Sequence, residues 1–229
     1  MYKNIIFDCF GTLIDTGSGS VQAVERILSN VDLNIEAKAF YAEWKSLKKK
    51  MMLQDTFLTE KALFSISLGK LFEKYNVKAD AEIAVKPMID TLFGKRDVFS
   101  ETIETLNILD TMGIHYAIGS TTDTDSLMHF LDINNMKIAN VFTSEDLRVY
   151  KPSPEFYKAI LQKMGWDVSE SIFVGDNLVD DVVGPKAIGM KTVLIDRKTK
   201  YSADSNIVAD YIISSLKELI LIVGKYELN

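Results

Sequence analysis

The chain has 229 residues, of which 47% are hydrophobic and 25% charged, a balance typical of a globular protein with a sizeable core. This length exceeds the ~100–200 residues of a typical domain, so either one large domain or a core with an insertion fits. A formal net charge of −6 argues against nucleic acid or an anionic membrane as a partner.

The first predicted element is a short apolar strand, residues 5–7, which ends at Asp8. In open α/β sheets, ligands bind at the carboxyl ends of the strands, so a carboxylate at this position faces a site. Gly11 follows and can adopt a backbone geometry that other residues avoid. From this stretch alone, an equally good interpretation is that Asp8 caps a turn or a helix.

Residues 21–93 have helical character and contain no convincing strand. Apolar residues recur at helical spacing in four groups, each of which predicts a helix. The groups are Val21, Val24, Ile27 and Leu28; Phe40, Trp44, Leu47 and Met51; Leu63, Ile66, Leu71 and Phe72; and Ile83, Met88, Ile89 and Leu92. The region therefore predicts a helical bundle inserted between two parts of one α/β domain.

From Val98 onward, predicted strands and helices alternate. The predicted strands are 114–119, 141–142, 171–175, 192–195 and 211–213. The predicted helices are 101–112, 125–131, 154–164, a segment that ends near 188, and a last helix that begins at 216. Such alternation predicts a parallel sheet that is covered by helices on both faces.

Cys9 is the only cysteine, so no intrachain disulfide is possible. A single cysteine is typical of a reducing compartment, and the N-terminus shows no secretory signal pattern. No apolar run approaches the ~18 residues that a membrane-spanning helix needs. We therefore expect a cytoplasmic protein with no membrane partner.

Four polar residues fall at the carboxyl edge of the predicted sheet: Asp8, Ser120, Lys151 and Asp176. Lys151 lies in a loop just before a helix, whereas the other three follow or end strands. Each has an ordinary explanation on its own, such as a solvated lysine or a capping serine. Together they suit one chemistry, in which a carboxylate nucleophile, a hard cation such as Mg²⁺, a lysine and a hydroxyl act on a phosphoryl group.

These residues also carry a family resemblance. The chain resembles the haloacid dehalogenase-like (HAD) superfamily of hydrolases, with a helical cap inserted after the first motif. The four motifs, in chain order, are residues 8–13 (DCFGTL), 120–121 (ST), 151–154 (KPSP) and 175–177 (GDN) followed by Asp180 and Asp181. One such motif is weakly specific, but four in order over essentially the whole chain identify the superfamily.

The resemblance implies an overall organisation. It implies a Rossmann-like core, a three-layer α/β domain around a parallel sheet, formed by residues 1–14 and 94–229. Residues 15–93 would form an all-helical cap domain. Mg²⁺ would be the cofactor and a small anionic molecule the substrate, and the oligomeric state is left open between monomer and homodimer.

The resemblance also implies roles for individual residues. Asp8 would be the covalent nucleophile, and Thr12 would hold the nucleophile loop. Ser120 would bind the transferring group, and Lys151 would stabilise its charge. The implied substrate-binding residues are Cys9, Phe10, Gly11, Ser120, Thr121 and Lys151. The implied metal ligands are Asp8, the backbone carbonyl of Phe10, Asp176 and Asp181, with Asp180 as the competing choice for the last.

The chain departs from the phosphatases of this superfamily at Phe10. Those enzymes carry a second aspartate two residues after the nucleophile, which protonates the leaving alkoxide and then activates water; phenylalanine can do neither. The superfamily's 2-haloacid dehalogenases carry an aromatic residue there, because a halide leaves without a proton. However, they generally lack the aspartate that is present here as Asp176, and their second motif has Asn at the position of Thr121. They also carry a cap arginine, and residues 35–51 contain none.

Three hypotheses about function therefore stay open. The first is a Mg²⁺-dependent phosphohydrolase for small phosphorylated metabolites with good leaving groups, such as acyl phosphates. The second is a 2-haloacid dehalogenase, which cleaves a carbon–halogen bond by hydrolysis. The third is a catalytically weak protein that binds phosphate or metal and acts through a partner.

Overall fold

The protein is described here by a computed structural model that covers residues 2–17, 19–201 and 209–224. The chain divides into two compact units. The first unit is Met1–Asp15, Asp97–Thr121 and Leu131–Asn229, and the second is Thr16–Arg96 and Thr122–Phe130. Parts of the predicted core, 1–14 and 94–229, and of the predicted cap, 15–93, lie outside the described residues.

The first unit contains a six-stranded sheet. Its strands are β1 (Asn4–Phe7), β2 (His115–Ser120), β3 (Val141–Thr143), β4 (Ser171–Gly175), β5 (Lys191–Ile195) and β6 (Tyr211–Ile213). The order across the sheet is β3-β2-β1-β4-β5-β6, and every neighbouring pair is parallel. β1 and β4 are buried along their whole length, as expected for a parallel sheet with both faces covered. The predicted α/β fold with a Rossmann-like parallel sheet is therefore confirmed.

Eleven α-helices lie within the described residues. They are α1 (Gly19–Asn30), α2 (Ala37–Met52), α3 (Glu60–Lys74), α4 (Ala81–Ala84), α5 (Lys86–Thr91), α6 (Thr102–Thr111), α7 (Thr124–Ile133), α8 (Ser144–Leu147), α9 (Pro154–Met164), α10 (Gly184–Lys186) and α11 (Lys217–Val223). A 3₁₀ helix, Val168–Glu170, precedes β4, and a π-helix, Leu178–Val183, follows it. None of the helices in the described part of the chain combines the length and the apolar character that crossing a membrane requires.

The position of β1 determines where polar side chains meet. Asn4 of β1 is in register with His115 of β2 on one side and with Ser171 of β4 on the other. β2 and β3 lie on one side of β1, and β4, β5 and β6 lie on the other. The chain therefore leaves β1 at the point where the strand order reverses, which is where ligands bind in open α/β sheets. Asp8 follows β1 at this point, between the carboxyl ends of β2 and β4.

Helix α9 packs against the middle of the sheet. Phe156, Tyr157 and Ile160 on this helix are fully buried and belong to one cluster with Ile6 of β1 and Phe173 of β4. The helix starts at a proline, where the missing N–H would have no intrahelical partner, and ends at a glycine with φ 66°. The predicted bounds of this helix, 154–164, are confirmed.

The second unit has a helical core. Phe40 and Trp44 of α2 pack with Phe64 and Leu68 of α3, and all four side chains are buried. The Trp44 indole N–H donates a hydrogen bond of 2.7 Å to the Ser67 hydroxyl, which satisfies the polar atom of this buried ring. No strand lies among the described residues of this unit, so the all-helical character predicted for the insertion is confirmed.

The prediction of a single fourth helix in the insertion is wrong. The structure has two short helices there, α4 and α5. Pro87 lies in the first turn of α5, and it cannot continue a helix from α4 because it lacks the backbone N–H and its ring crowds the preceding turn. The helical structure predicted from the apolar spacing is present, but Pro87 divides the segment into two helices.

Residues 122–130 are joined to this unit by polar contacts at the start of α3. The carboxylate of Asp123, which is fully buried, accepts hydrogen bonds from the backbone N–H groups of Glu60 at 2.6 Å and Lys61 at 3.0 Å. The Thr122 hydroxyl donates to the Glu60 carboxylate at 2.8 Å. Asp123, which is distant in the sequence, thus accepts hydrogen bonds from N–H groups at the N-terminus of α3 that have no acceptor within the helix.

Asp210 is a polar anchor beside β5. Its carboxylate accepts hydrogen bonds from Lys186 at 2.9 Å, Lys191 at 2.7 Å and the Thr192 backbone N–H at 3.1 Å. Partial burial alone would raise the pKa of Asp210, but these donors outweigh it and lower the pKa to about 2. The carboxylate therefore stabilises the fold above its unfolded pKa, and this stabilisation is lost as the pH falls towards about 2.

Replacing Asp210 by asparagine is expected to lower the free energy of unfolding by about 1–2 kcal/mol at pH 7, after allowance for solvent screening of the two lysines. At pH 3, which lies between the folded pKa of about 2 and the ordinary value, the difference from the wild type should fall to about half. Urea unfolding at both pH values measures it. Asp132→Asn, at an exposed position, is the matched control and should change neither value. A difference that is equal at both pH values would contradict the assignment.

Candidate active site

Asp8 begins a tight turn directly after β1. The Leu13 N–H donates to the Cys9 carbonyl at 2.9 Å, so the chain folds back on itself within a few residues. This turn returns the Thr12 hydroxyl to the nucleophile candidate, and the hydroxyl donates to Asp8 Oδ2 at 3.1 Å. The geometry therefore fixes the orientation of the Asp8 carboxylate from within its own loop.

Gly11 allows the carboxylate of Asp176 to approach this turn. Its φ is 98°, a backbone conformation that favours glycine. A Cβ atom at this position would lie 2.6 Å from the Asp176 Cγ atom, closer than side chains can pack. The glycine thus has a definite role in the structure, which is to leave room for the second carboxylate of the site.

Lys151 bridges two carboxylates in the interior. Its ammonium donates to Asp8 Oδ1 at 2.8 Å and to Asp181 Oδ1 at 2.9 Å, and only 1% of its side chain is exposed. Burial alone would lower the pKa of Lys151, but the adjacent negative charges of Asp181 and Asp8 raise it above its ordinary value. The lysine is therefore a fixed positive charge beside Asp8.

Asp181 is held from both sides. One carboxylate oxygen accepts from Lys151, and the other accepts from the backbone N–H of Asn177 at 2.9 Å. A Cβ at Gly175 would lie 2.2 Å from the Asp181 Cγ atom, so only glycine fits there. Burial raises the pKa of Asp181 above its ordinary value, while the charge of Lys151 opposes this shift.

The structure distinguishes the two adjacent acids that the sequence left as alternatives. Both lie on the π-helix, which gives them different environments. The buried carboxylate of Asp181 lies within 4.8 Å of carboxylate oxygens of Asp8 and Asp176, whereas Asp180 belongs to no such group among the described residues. Asp181 is therefore the acid that the fold brings to the site.

Three carboxylates form a group that could hold a metal ion. Asp8, Asp176 and Asp181 each offer an oxygen, and the three oxygens all lie within 4.8 Å of one another. Burial and the neighbouring charge of Asp8 raise the pKa of Asp176, and such a cost of assembling negative charges is relieved by a bound cation. An all-oxygen donor set is what a hard divalent cation such as Mg²⁺ prefers, so these residues fit one.

The remaining predicted residues share the same edge of the sheet. Ser120 is the buried last residue of β2, in register with Thr143 of β3, and Thr121 follows it. Side-chain hydrogen bonds connect Asp8 with Thr12 and Lys151, and Lys151 with Asp181. Among the described residues, Ser120 and Thr121 are placed at the edge without joining this network.

Cys9 and Phe10 lie in the turn between Asp8 and Gly11. Cys9 is fully buried and not part of a disulfide, in keeping with a small core residue. Phe10 is half-buried and pairs with Ile14 in an isolated β-bridge. The position two residues after Asp8 is therefore occupied by an apolar side chain that cannot transfer a proton.

The loop after β5 reaches the site, and the sequence analysis missed it. The Arg197 guanidinium donates to the Thr12 carbonyl at 2.9 Å and forms an ion pair with Glu101. Its central carbon, Cζ, lies 3.7 Å from the centre of the Phe99 ring. Arg197 thereby supports the turn that carries Asp8. The rule that ligands bind at the carboxyl ends of strands could have identified this loop, because the loop begins at the carboxyl end of β5.

The same loop contacts the other side of the site. The Lys200 ammonium lies 3.3 Å from Asp176 Oδ2. The Tyr201 hydroxyl donates to the backbone carbonyl of Asp176 at 3.1 Å and accepts from the Leu178 N–H at 3.3 Å. Neither residue belongs to any of the four motifs, so motif matching could not have identified them.

Comparisons with known proteins agree on the family. The family model described as haloacid dehalogenase-like hydrolase matches residues 2–189. Glyceraldehyde 3-phosphate phosphatase of Methanocaldococcus jannaschii is 33% identical over 55% of this chain, and the chain spans only 56% of the length of that relative. Pyrophosphatase PpaX of Oceanobacillus iheyensis is 26% identical over 97% of both chains.

A solved structure has the same fold. The L-2-haloacid dehalogenase of Xanthobacter autotrophicus with chloropropionic acid covalently bound has a TM-score of 0.75 and 16% identity, covering 99% of this chain and 100% of its own. At this identity the likeness establishes the fold and not the reaction.

Proposed function

The chain belongs to the haloacid dehalogenase-like hydrolase family, and from this premise we propose that it is a Mg²⁺-dependent phosphohydrolase for small phosphorylated metabolites with good leaving groups. The observation that carries the proposal is the group of three carboxylates, Asp8, Asp176 and Asp181, around a buried lysine. Phosphatase names among the relatives support it. The proposal retains a core of 1–14 and 94–229, a cap of 15–93 and a cytoplasmic location.

In the proposed reaction, a carboxylate oxygen of Asp8 attacks phosphorus. The new bond joins Asp8 to the phosphoryl group, and the bond from phosphorus to the leaving-group oxygen breaks. Thr12 and Lys151 donate to different oxygens of Asp8 and so hold the carboxylate in one orientation. Lys151 also supplies a fixed positive charge for the transferring group, and Ser120 is positioned at the sheet edge to bind one of its oxygens.

Asp8 and Asp176 would hold the Mg²⁺ ion, with the Phe10 carbonyl as a further ligand and Asp181 beside it. When bound, Mg²⁺ would neutralise negative charge on the phosphoryl group and on the carboxylates, which otherwise repel each other. Water then attacks the aspartyl phosphate, the bond between phosphorus and Asp8 breaks, and the carboxylate is regenerated. The two hydrogens of the water molecule leave on the phosphate product.

Phe10 restricts the proposed substrate class. A leaving alkoxide needs a proton, and general acid help is typically worth ~10²–10⁴-fold in rate. Carboxylate and phosphate leave without such help, so acyl phosphates and phosphoanhydrides suit this site better than sugar phosphates. The name of the Oceanobacillus relative fits a phosphoanhydride, whereas that of the Methanocaldococcus relative denotes an alkyl phosphate.

A second candidate, 2-haloacid dehalogenation, is favoured by Phe10, because a halide needs no proton to leave, and by the name of a relative, (S)-2-haloacid dehalogenase 4A of Burkholderia cepacia. The presence of Asp176 is evidence against this candidate, because the dehalogenase reaction needs no metal ligand. The missing side chain at Gly11 leaves room for this carboxylate. The third candidate is a catalytically weak protein that binds phosphate or metal and acts through a partner.

A substrate panel tests these alternatives. We expect hydrolysis of acetyl phosphate and p-nitrophenyl phosphate that is lost on chelation and restored by Mg²⁺, measured as phosphate or nitrophenol release. With 2-chloropropionate we expect no chloride release. Chloride release that survives the chelator would overturn the phosphohydrolase proposal. Tight phosphate binding without turnover of any substrate would favour the third candidate.

A further inference from the structure

The loop after β5 places a lysine on a carboxylate that the proposed cation needs. From this we infer that Lys200 competes with Mg²⁺ for Asp176 and thereby lowers the affinity of the site for the metal. The inference rests on the proposed function, because it assumes that Asp176 is a Mg²⁺ ligand. It assigns to Lys200 the role of a positioning residue that acts through Asp176.

Lys200 is paired with Asp176 in a way that Lys151 is not. The Lys200 ammonium lies 3.3 Å from Asp176 Oδ2, while Lys151 donates to Asp8 and Asp181 instead. The Asp176 side chain is 26% exposed and that of Lys200 is 52% exposed. Lys200 therefore approaches the carboxylate group from its solvent side, and Lys151 lies in the interior.

The backbone fixes this approach. The Asp196 carboxylate accepts from the N–H groups of Lys200 at 2.8 Å and Tyr201 at 3.1 Å, which closes the loop after β5. The Tyr201 hydroxyl then bonds the Asp176 carbonyl and the Leu178 N–H. The residue next to Lys200 is thus tied to the segment that carries Asp176, so the lysine is delivered to this carboxylate by its own loop.

The effect on cation binding follows from charge. An ammonium at ion-pair distance satisfies part of the negative charge that attracts a divalent cation, and it repels a cation bound to the same carboxylate. Because Lys200 is half-exposed, solvent and salt screen this interaction, and the expected effect is modest, about tenfold in affinity. The effect should shrink as ionic strength rises.

Isothermal titration of MgCl₂ into the protein measures this directly, without reference to turnover. We expect Lys200→Met to bind Mg²⁺ about tenfold more tightly than the wild type at low ionic strength. Lys200→Arg keeps the charge and should stay within about twofold of the wild type. Lys198→Met removes the same charge from an exposed position two residues earlier, and it should also stay within about twofold.

The possible results separate the two proposals. If Lys200→Met binds Mg²⁺ as the wild type does, or more weakly, the inference about Lys200 is overturned and the metal site stands. If Lys198→Met gains as much affinity as Lys200→Met, the effect is one of net charge and the inference is likewise overturned. If neither the wild type nor any variant binds Mg²⁺, the metal site of the proposed function fails, and the inference fails with it.

Discussion

Replacing Asp8 with asparagine is expected to reduce acetyl phosphate hydrolysis by about 10⁴-fold or more. The amide has nearly the shape of the carboxylate, but it is a poor nucleophile and carries no charge to pair with Lys151. The measurement is kcat/KM in the presence of Mg²⁺. In the wild type, mass spectrometry after rapid acid quench should find a phosphorylated peptide that contains Asp8, and this peptide should be absent from the variant.

Two controls accompany this prediction. Asp132→Asn makes the same chemical change at an exposed position and should leave kcat/KM unchanged. Thermal unfolding should show that Asp8→Asn is folded, since Lys151 keeps its hydrogen bond to Asp181. Activity of Asp8→Asn above about a tenth of the wild type would show that another group is the nucleophile.

Replacing Phe10 with aspartate is expected to raise hydrolysis of an alkyl phosphate by about 10²-fold, the lower end of what a general acid contributes. The side chain at position 10 is half-buried in the turn after Asp8, so a carboxyl group there has access to solvent protons and to the nucleophile's surroundings. Hydrolysis of acetyl phosphate should change little, because its leaving carboxylate needs no proton. The rates are measured as phosphate release from a sugar phosphate and from acetyl phosphate.

Phe10→Asn is the matched control for this gain. It introduces a polar side chain of the same size as aspartate, but this side chain cannot transfer a proton. Alkyl phosphate hydrolysis should therefore stay at the wild-type level. If Phe10→Asp also leaves that rate unchanged while Asp8→Asn abolishes it, another acid already serves the leaving group. The interpretation of Phe10 would then be wrong.

The parallel sheet made the position of the site predictable. Periodicity and strand–helix alternation indicated the sheet, and the rule that ligands bind at carboxyl ends identified Asp8, Ser120 and Asp176. The structure places all three at that edge because β1 lies between β2 and β4. The catalytic and metal-binding roles of these residues stay predictions.

What could not be predicted depends on contacts between distant parts of the chain. Of the two adjacent acids, Asp181 is the one whose carboxylate lies near Asp8 and Asp176, and both belong to a π-helix that no sequence pattern predicted. Residues 122–130 pack with the helical unit through Asp123 and the start of α3, although nothing in their sequence connects them to it. Lys200 approaches Asp176 from a loop that follows a different strand.

The central position of β1 has a consequence for folding during synthesis. Its first residue, Asn4, pairs with His115 and Ser171, both more than a hundred residues later in the chain. At about 5–20 residues per second, a ribosome needs roughly 5–20 s to deliver the first partner strand. During that interval the apolar segment Asn4–Phe7 has no neighbour in the sheet, while the helices of residues 19–91 can already form from local contacts. The strand that precedes Asp8 is therefore made long before either of its neighbours, and it is among the last parts of the sheet to be covered.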